Sequence, residues 1–180
     1  GAMIDGRSRL NFGASAGYGN MRGEVMQGIR QAHIFDPPQT LGLRGWFTKL
    51  KSKFSHVRTA NTQIADSEER AELESLMHEG IDQGGMGIGL PLDYYSEGID
   101  NDELRTVFKV AADRHVPIFV HIRRGINGDP SGLYEVLALV RETGASMHIC
   151  HITHNAMVNL ELFLEEIRNI RTEGFDVTTE

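Results

Sequence analysis

Cysteine is almost missing from this 180-residue chain: Cys150 stands alone, so no internal disulfide can form, and its place within an apolar run fits a reducing compartment. A cytoplasmic location is the expectation. No stretch approaches the ~20 apolar residues that a membrane-spanning helix requires, and the N-terminus lacks the charged-then-apolar layout of a signal peptide. A basic excess is missing as well. With 25 acidic against 18 basic residues the net charge is −7, which argues against nucleic-acid binding by the chain as a whole. What remains, at 40% apolar composition, suffices for one domain with a real core and is short for two. The expectation is a single domain over residues 1–180. The opening Gly1-Ala2-Met3 reads as a cloning remnant, with native sequence expected upstream.

From residue 66 the chain repeats one pattern. Asp66 and Glu69 form a capping box ahead of Leu73, Leu76, Met77 and Ile81 at helical spacing, and Gly84-Gly85 stops that helix. Met86 to Leu90 then reads as a buried strand. Asp100 and Glu103 open a second helix with Leu104, Val107, Phe108 and Ala111 on one face, followed by a strand over 116–122. A third helix starts at Asp129-Pro130, presents Leu133, Val136, Leu137 and Val140, and ends at Gly144 before a strand over 146–151. A fourth carries Leu160, Phe163, Leu164 and Ile167, stops at Gly174 and gives way to a last strand over 175–179.

Continuous apolar strands separated by amphipathic helices predict a parallel sheet covered by helices with right-handed crossovers. A βα barrel and a doubly wound sheet both satisfy that pattern. For the second, Gly13-Ala-Ser-Ala-Gly17-Tyr-Gly19 is only a loose echo of a phosphate-binding turn. Upstream, residues 9–14 form a further candidate strand, and Met21 to His33 a helix that Pro37-Pro38 terminates. Residues 36–65 read as an insertion. Its stretch 44–58 carries Lys49, Lys51, Lys53 and Arg58 among aromatics, with no acid between Asp36 and Asp66, so it either faces an anionic partner or packs Trp46, Phe47, Leu50 and Phe54 as a short helix under solvated lysines.

His121 and His151 each close a short apolar run and lie thirty residues apart, one strand-helix-strand step. Two imidazoles at matching ends of neighbouring parallel strands point into one mouth, where βα-barrel enzymes place their chemistry. Strand alternation puts His148 and His151 on opposite sides. With His151 inward, Met147 and Ile149 join it while His148 and Cys150 face the helices, making Cys150 a small core residue. His121 and Arg123 share parity, and Arg123 or Arg124 offers a bidentate fork for a substrate carboxylate. Each has a plainer role: His121 as a hydrogen-bonded structural histidine, Arg123 as the partner of a loop carboxylate such as Asp129. His154, in the following loop, is a further candidate metal ligand, and Asp93, Asp176 and Glu180 are oxygen candidates. His33, His56, His78 and His115 fall on expected surface and need no function.

Gly85-Met-Gly-Ile-Gly-Leu-Pro-Leu-Asp-Tyr-Tyr-Ser96, Val120-His-Ile-Arg123 and His148-Ile-Cys-His151 resemble segments of the N-acyl-D-amino-acid deacylases of the amidohydrolase superfamily. Gly174 to Glu180 resembles the strand that in this family runs into a Tyr-Pro-Tyr motif, and Ala16-Gly-Tyr-Gly-Asn-Met-Arg22 resembles its Gly-His-x-x-Leu-Arg turn. The resemblance covers most of the chain outside about 30–65. It implies a deformed βα barrel that binds zinc and cleaves an amide with metal-activated water, with a carboxylate moving the proton. It implies His151 as a metal ligand, and His121 with Arg123 beside the substrate carboxylate.

The departures carry equal weight. The family's His-x-His metal motif, bridging cysteine and catalytic aspartate have no counterpart here, and Tyr18 stands where the turn usually carries histidine. The chain therefore reads as a middle slice of a barrel with five strands. An open set of parallel strands exposes edges and an inner face, so self-association as a homo-oligomer is expected. Three readings follow: part of a metal-dependent amidohydrolase acting on N-acyl amino acids or related small amides, inactive in isolation and holding zinc weakly; a catalytically silent fragment that keeps a pocket; or an interaction module using residues 44–58.

Overall fold

The computed structural model describes residues 13–30, 39–40, 42–43, 46–47, 60–95 and 97–180. A short strand β1 (Ala16–Gly17) leads directly into helix α1 (Tyr18–Gln27), which Gly28 ends at a φ of 63°. That left-handed cap comes well before the expected stop at Pro37-Pro38, because glycine adopts the conformation without a Cβ clash. The candidate strand over 9–14 is displaced: Gly13 and Ala14 are not strand, pairing begins at Ala16, and 9–12 lie outside the described residues. Strands β2 (Ile29–Arg30) and β3 (Gln39–Thr40) form a separate antiparallel pair.

Helix α2 (Ser67–Asp82) begins at Asp66, whose carboxylate accepts from the Glu69 N–H at 2.8 Å, while Glu69 accepts from the Asp66 N–H at 3.1 Å. This is the capping box read from the sequence. There follow β4 (Ile88–Leu90), α3 (Asn101–Asp113), β5 (Ile118–Val120), α4 (Ser131–Thr143), β6 (Met147–Ile149), the short α5 (Ile152–Ala156), α6 (Leu160–Thr172) and β7 (Val177–Thr179). The strands are trimmed relative to expectation, three residues each from β4 onward. The main sheet has the order β1-β4-β5-β6-β7 with every neighbouring pair parallel. A doubly wound sheet reverses strand order at a switch point. Here the order runs one way only, which selects the barrel arrangement over its rival.

Alternation along the strands is regular but opposite in sense to the inward assignment of Met147 and Ile149. Ile88, Leu90, Ile118, Val120, Met147, Ile149 and Val177 are fully buried and share the core with Leu104, Val107 and Phe108 of α3, Leu133, Val136 and Leu137 of α4, and Phe163 and Ile167 of α6. Each such side chain contributes about 1.5–3 kcal/mol through removal from water. The intervening positions, Phe119, His148, Cys150 and Thr178, stay partly or fully accessible on the other face. Met147 and Ile149 thus face the helices, and His148 and Cys150 do not. The helices bury the aliphatic strand residues, leaving Phe119 and the polar set for the inner wall.

Among the described residues, a polar cluster sits inside the core. Arg22 of α1 is fully buried and ion-paired with Glu103 of α3, and it donates to the carbonyls of Ala60 (2.9 Å), Gln63 (2.5 Å) and Gly98 (3.0 Å). Tyr18 donates to the same Glu103 oxygen at 2.7 Å. A buried guanidinium is tolerated only when its donors are matched this fully. Glu103 was read as a helix opener, and Asp100 does accept from its N–H, but its carboxylate is committed to Arg22. Of the basic stretch 44–58, Trp46 and Phe47 are exposed and touch edge to face at 5.1 Å; its lysines and Arg58 lie outside the described residues. No helix among the described residues is long and apolar enough to cross a membrane.

Candidate functional site

The carboxyl ends of β4, β5 and β6 open into a cleft of about 440 Å³ lined by Asp93, Tyr94, His121, Arg124, His151, His154 and Asn155. His121 directly follows β5, with its N–H bonded to the Leu90 carbonyl and its own carbonyl accepting from Asp93. That brings the loops after β4 and β5 together. His151 follows β6 by a different device. Its backbone is left-handed, φ 55° and ψ 44°, so the side chain leaves the alternation of the strand and swings over the rim. Both His148 and His151 therefore reach the accessible side, where strict alternation allowed only one. A side chain other than glycine held in this conformation costs of order 1–3 kcal/mol, and such positions cluster at functional sites.

The outcome is that the His121 and His151 rings lie 4.8 Å apart, centroid to centroid. Tyr94 flanks His121 at 6.2 Å. Glu180, after β7, places Oε1 3.3 Å from His151 Nδ1, and both side chains are more than half exposed. Burial, and next the neighbouring His151, lower the pKa of His121 below its ordinary 6.5, against the opposing pull of Asp93 and Glu180. The neutral form so favoured is the one that carries a lone pair for a metal or a proton. His154, in α5, is exposed on the cleft wall.

The arginines divide their work. Arg123, expected beside His121, bonds the Glu135 carboxylate of α4 at 2.9 Å and the Ile99 carbonyl at 2.6 Å, and it does not line the cleft. Parity fails there because β5 ends at Val120, so nothing enforces alternation as far as residue 123. Its partner is Glu135 rather than Asp129, which accepts from the Ser131 N–H. The Arg123 carbonyl is packed so closely under α4 that a Cβ on Gly132 would lie 2.1 Å from it, which requires glycine at that point. Arg124 is the residue that reaches the cleft, where Asp93 accepts from its backbone N–H at 2.9 Å and its guanidinium at 3.2 Å. The role of Asn155 was not legible in the sequence: its buried amide donates to the Ile122 carbonyl at 3.1 Å and ties α5 to the end of β5. Asp176, before β7, is exposed and away from this cleft.

On the inner wall below the rim, His148, Cys150 and Glu180 each offer a donor atom, all within 4.8 Å of one another. Burial, and next Glu180, raise the Cys150 pKa. Cys150 is thus a wall residue and not a core residue.

No protein-family model matches the chain, and no curated protein matches it in sequence. Solved structures do match in shape. N-acyl-D-glutamate deacylase from Bordetella bronchiseptica, determined with zinc and a phosphonate mimic of the tetrahedral intermediate, superposes with a TM-score of 0.69 at 22% identity, over 99% of this chain and 32% of that one. A D-aminoacylase described as defining a subset of amidohydrolases matches at 0.55 and 16% identity, over 66% of this chain and 26% of that one. A second D-aminoacylase structure, concerned with its binuclear metal centre, matches at 0.55 and 17% over the same shares. The chain thus spans about a third and a quarter of the lengths of these proteins. Its five parallel strands and their covering helices have the fold of part of an amidohydrolase barrel.

Proposed function

We propose that the chain supplies the middle portion of a metal-dependent amidohydrolase, a hydrolase of carbon-nitrogen bonds other than peptide bonds, acting on an N-acyl amino acid or a related small amide. The observation that carries this reading is the pairing of His121 and His151 at 4.8 Å on the carboxyl rim of parallel strands. Two imidazoles this close make a nitrogen donor pair that suits zinc, while the Asp93 carboxylate beside them is bonded to Arg124. When bound, zinc would polarise an amide carbonyl and make water a nucleophile near neutral pH. His151 and His121 would hold the ion in this reading, with His154 of α5 on the same cleft wall. Arg124 offers its fork to the substrate carboxylate, and Arg123 fixes the loop that presents it.

A catalytic zinc ordinarily keeps three protein ligands and one open position. The two imidazoles fall short of that set, so zinc binds weakly and the 180-residue chain alone turns over no amide. The accessible inner wall leaves edges for other strands, which supports self-association. Ring NMR signals test the site: zinc shifts the imidazole resonances of His121 and His151 together while His78 and His115 stay put. Rings of His121 and His151 that ignore zinc, or respond at widely different concentrations, overturn the assignment.

A further inference from the structure

We propose a second cation site, separate from the rim pair, in which His148, Cys150 and Glu180 bind a thiophilic divalent ion such as zinc or cobalt on the inner wall of the sheet. The placement follows from register. His148 and Cys150 are two residues apart on β6 and its extension, so they share a face. β6 and β7 run parallel with Met147 opposite Val177, His148 opposite Thr178 and Ile149 opposite Thr179, which sets Glu180 across from Cys150. Three donors from two neighbouring strands therefore converge, and they lie within 4.8 Å of one another. That spacing is of the order needed for three corners of a zinc tetrahedron.

The chemistry of the set is selective. One sulfur, one imidazole nitrogen and one carboxylate oxygen on a rigid sheet favour zinc-like ions over magnesium or calcium, which prefer all-oxygen ligation. The His148 ring is already oriented, because its Nδ1 bonds the Thr178 hydroxyl at 2.9 Å, the type of outer contact that aligns metal-binding imidazoles. Phe119 stands 6.0 Å from that ring on the neighbouring strand and makes an apolar side wall. His148 and Cys150 are half-buried and Glu180 is exposed, so an ion can enter from the rim. A fourth position is left open to water or to a donor from outside this segment.

This proposal does not depend on the amidohydrolase reading, and one probe separates the two. Cobalt(II) chloride is titrated into the purified metal-free chain under reducing conditions while the near-ultraviolet spectrum is recorded. Cys150 is the only sulfur-hydrogen group in the chain, so a thiolate-to-cobalt charge-transfer band reports cobalt bound at that side chain. The expected result is a band that saturates near one equivalent, vanishes in Cys150→Ser, weakens at least tenfold in apparent affinity in His148→Ala and Glu180→Gln, and persists in His121→Ala and His151→Ala. Circular dichroism matching the parent confirms that each variant is folded. A titration without the band, or a band that survives Cys150→Ser, overturns the site. A band lost in His121→Ala but kept in His148→Ala overturns it too, by assigning the cysteine to the rim pair. Failure of the rim pair to shift with zinc leaves the cobalt result untouched, so either reading can fall alone.

Discussion

Two faces of one sheet are built from the same few strands and do opposite things. On the helix-covered face Ile118, Val120, Met147, Ile149 and Val177 are at most 1% exposed. One residue along, Phe119, His148, Cys150 and Thr178 remain accessible, and His121 and His151 project from the rim above them. The period-two pleat makes this division possible, since successive side chains leave a strand on opposite sides. The covered face supplies the stability that a small domain needs; the accessible face is free to carry nitrogen, sulfur and oxygen donors. Measurements that perturb each face in turn decide whether the division holds.

The largest effect is expected behind the covered face, at the buried pair of Arg22 and Glu103. Arg22→Ala removes the cation and four of its bonds, leaving Glu103 charged with only Tyr18 to answer it. Breaking a buried pair from one side costs about 3–5 kcal/mol, read as a fall in the urea midpoint at constant m-value. A loss below about 1 kcal/mol shows that water reaches Glu103 and that the cluster is not core. Next comes Ile149→Ala on the covered face, for which truncation and the cavity left behind cost about 2–5 kcal/mol.

The third change is the counterpart on the other face. Phe119→Ser removes an aromatic side chain that is only half-buried, so the expected cost is about 1 kcal/mol or less. If Phe119→Ser destabilises as much as Ile149→Ala, the accessible face is packed in solution. Sedimentation before and after the substitution then shows whether a second copy packs it.

The covered face was readable from the residues and the accessible one was not, for a physical reason. Helical spacing of Leu104, Val107, Phe108 and Ala111, or of Leu133, Val136, Leu137 and Val140, names the core directly, because helix burial follows a 3.6 period. The Asp66 and Glu69 capping box was legible because both bonds are local. The assignment of Met147 and Ile149 to the interior of a barrel rested instead on which neighbour occupies each side, and alternation alone is silent about that. His151 reaches the rim by a device that strand alternation lacks, since its backbone is left-handed. Arg123 and Arg124 offer the same fork in the sequence, and it is the end of β5 at Val120 that frees them from strand alternation. Asn155, whose one visible bond is to a carbonyl 33 residues away, left no mark in the sequence.

The smallest effect sharpens the comparison at the rim itself. The His121 pKa is lowered in the folded chain from its ordinary 6.5, first by burial and then by His151. A group whose folded pKa lies below its unfolded value takes up its proton earlier in the unfolded chain. Stability from this group is therefore complete above about pH 6.5 and declines as pH falls from there through the folded pKa. The contribution is small because His121 is partly exposed and its charges are screened by water, so the ring itself is the better reporter. NMR titration of the metal-free chain should give a His121 midpoint below 6.5, raised part of the way back in His151→Ala and lowered further in Asp93→Asn. The first recovery is incomplete because burial, the larger cause, survives the loss of His151. A midpoint above 6.5 in the parent chain means that Asp93 and Glu180 outweigh burial, and the His121 ring then favours the charged form over the neutral donor that a zinc ion requires.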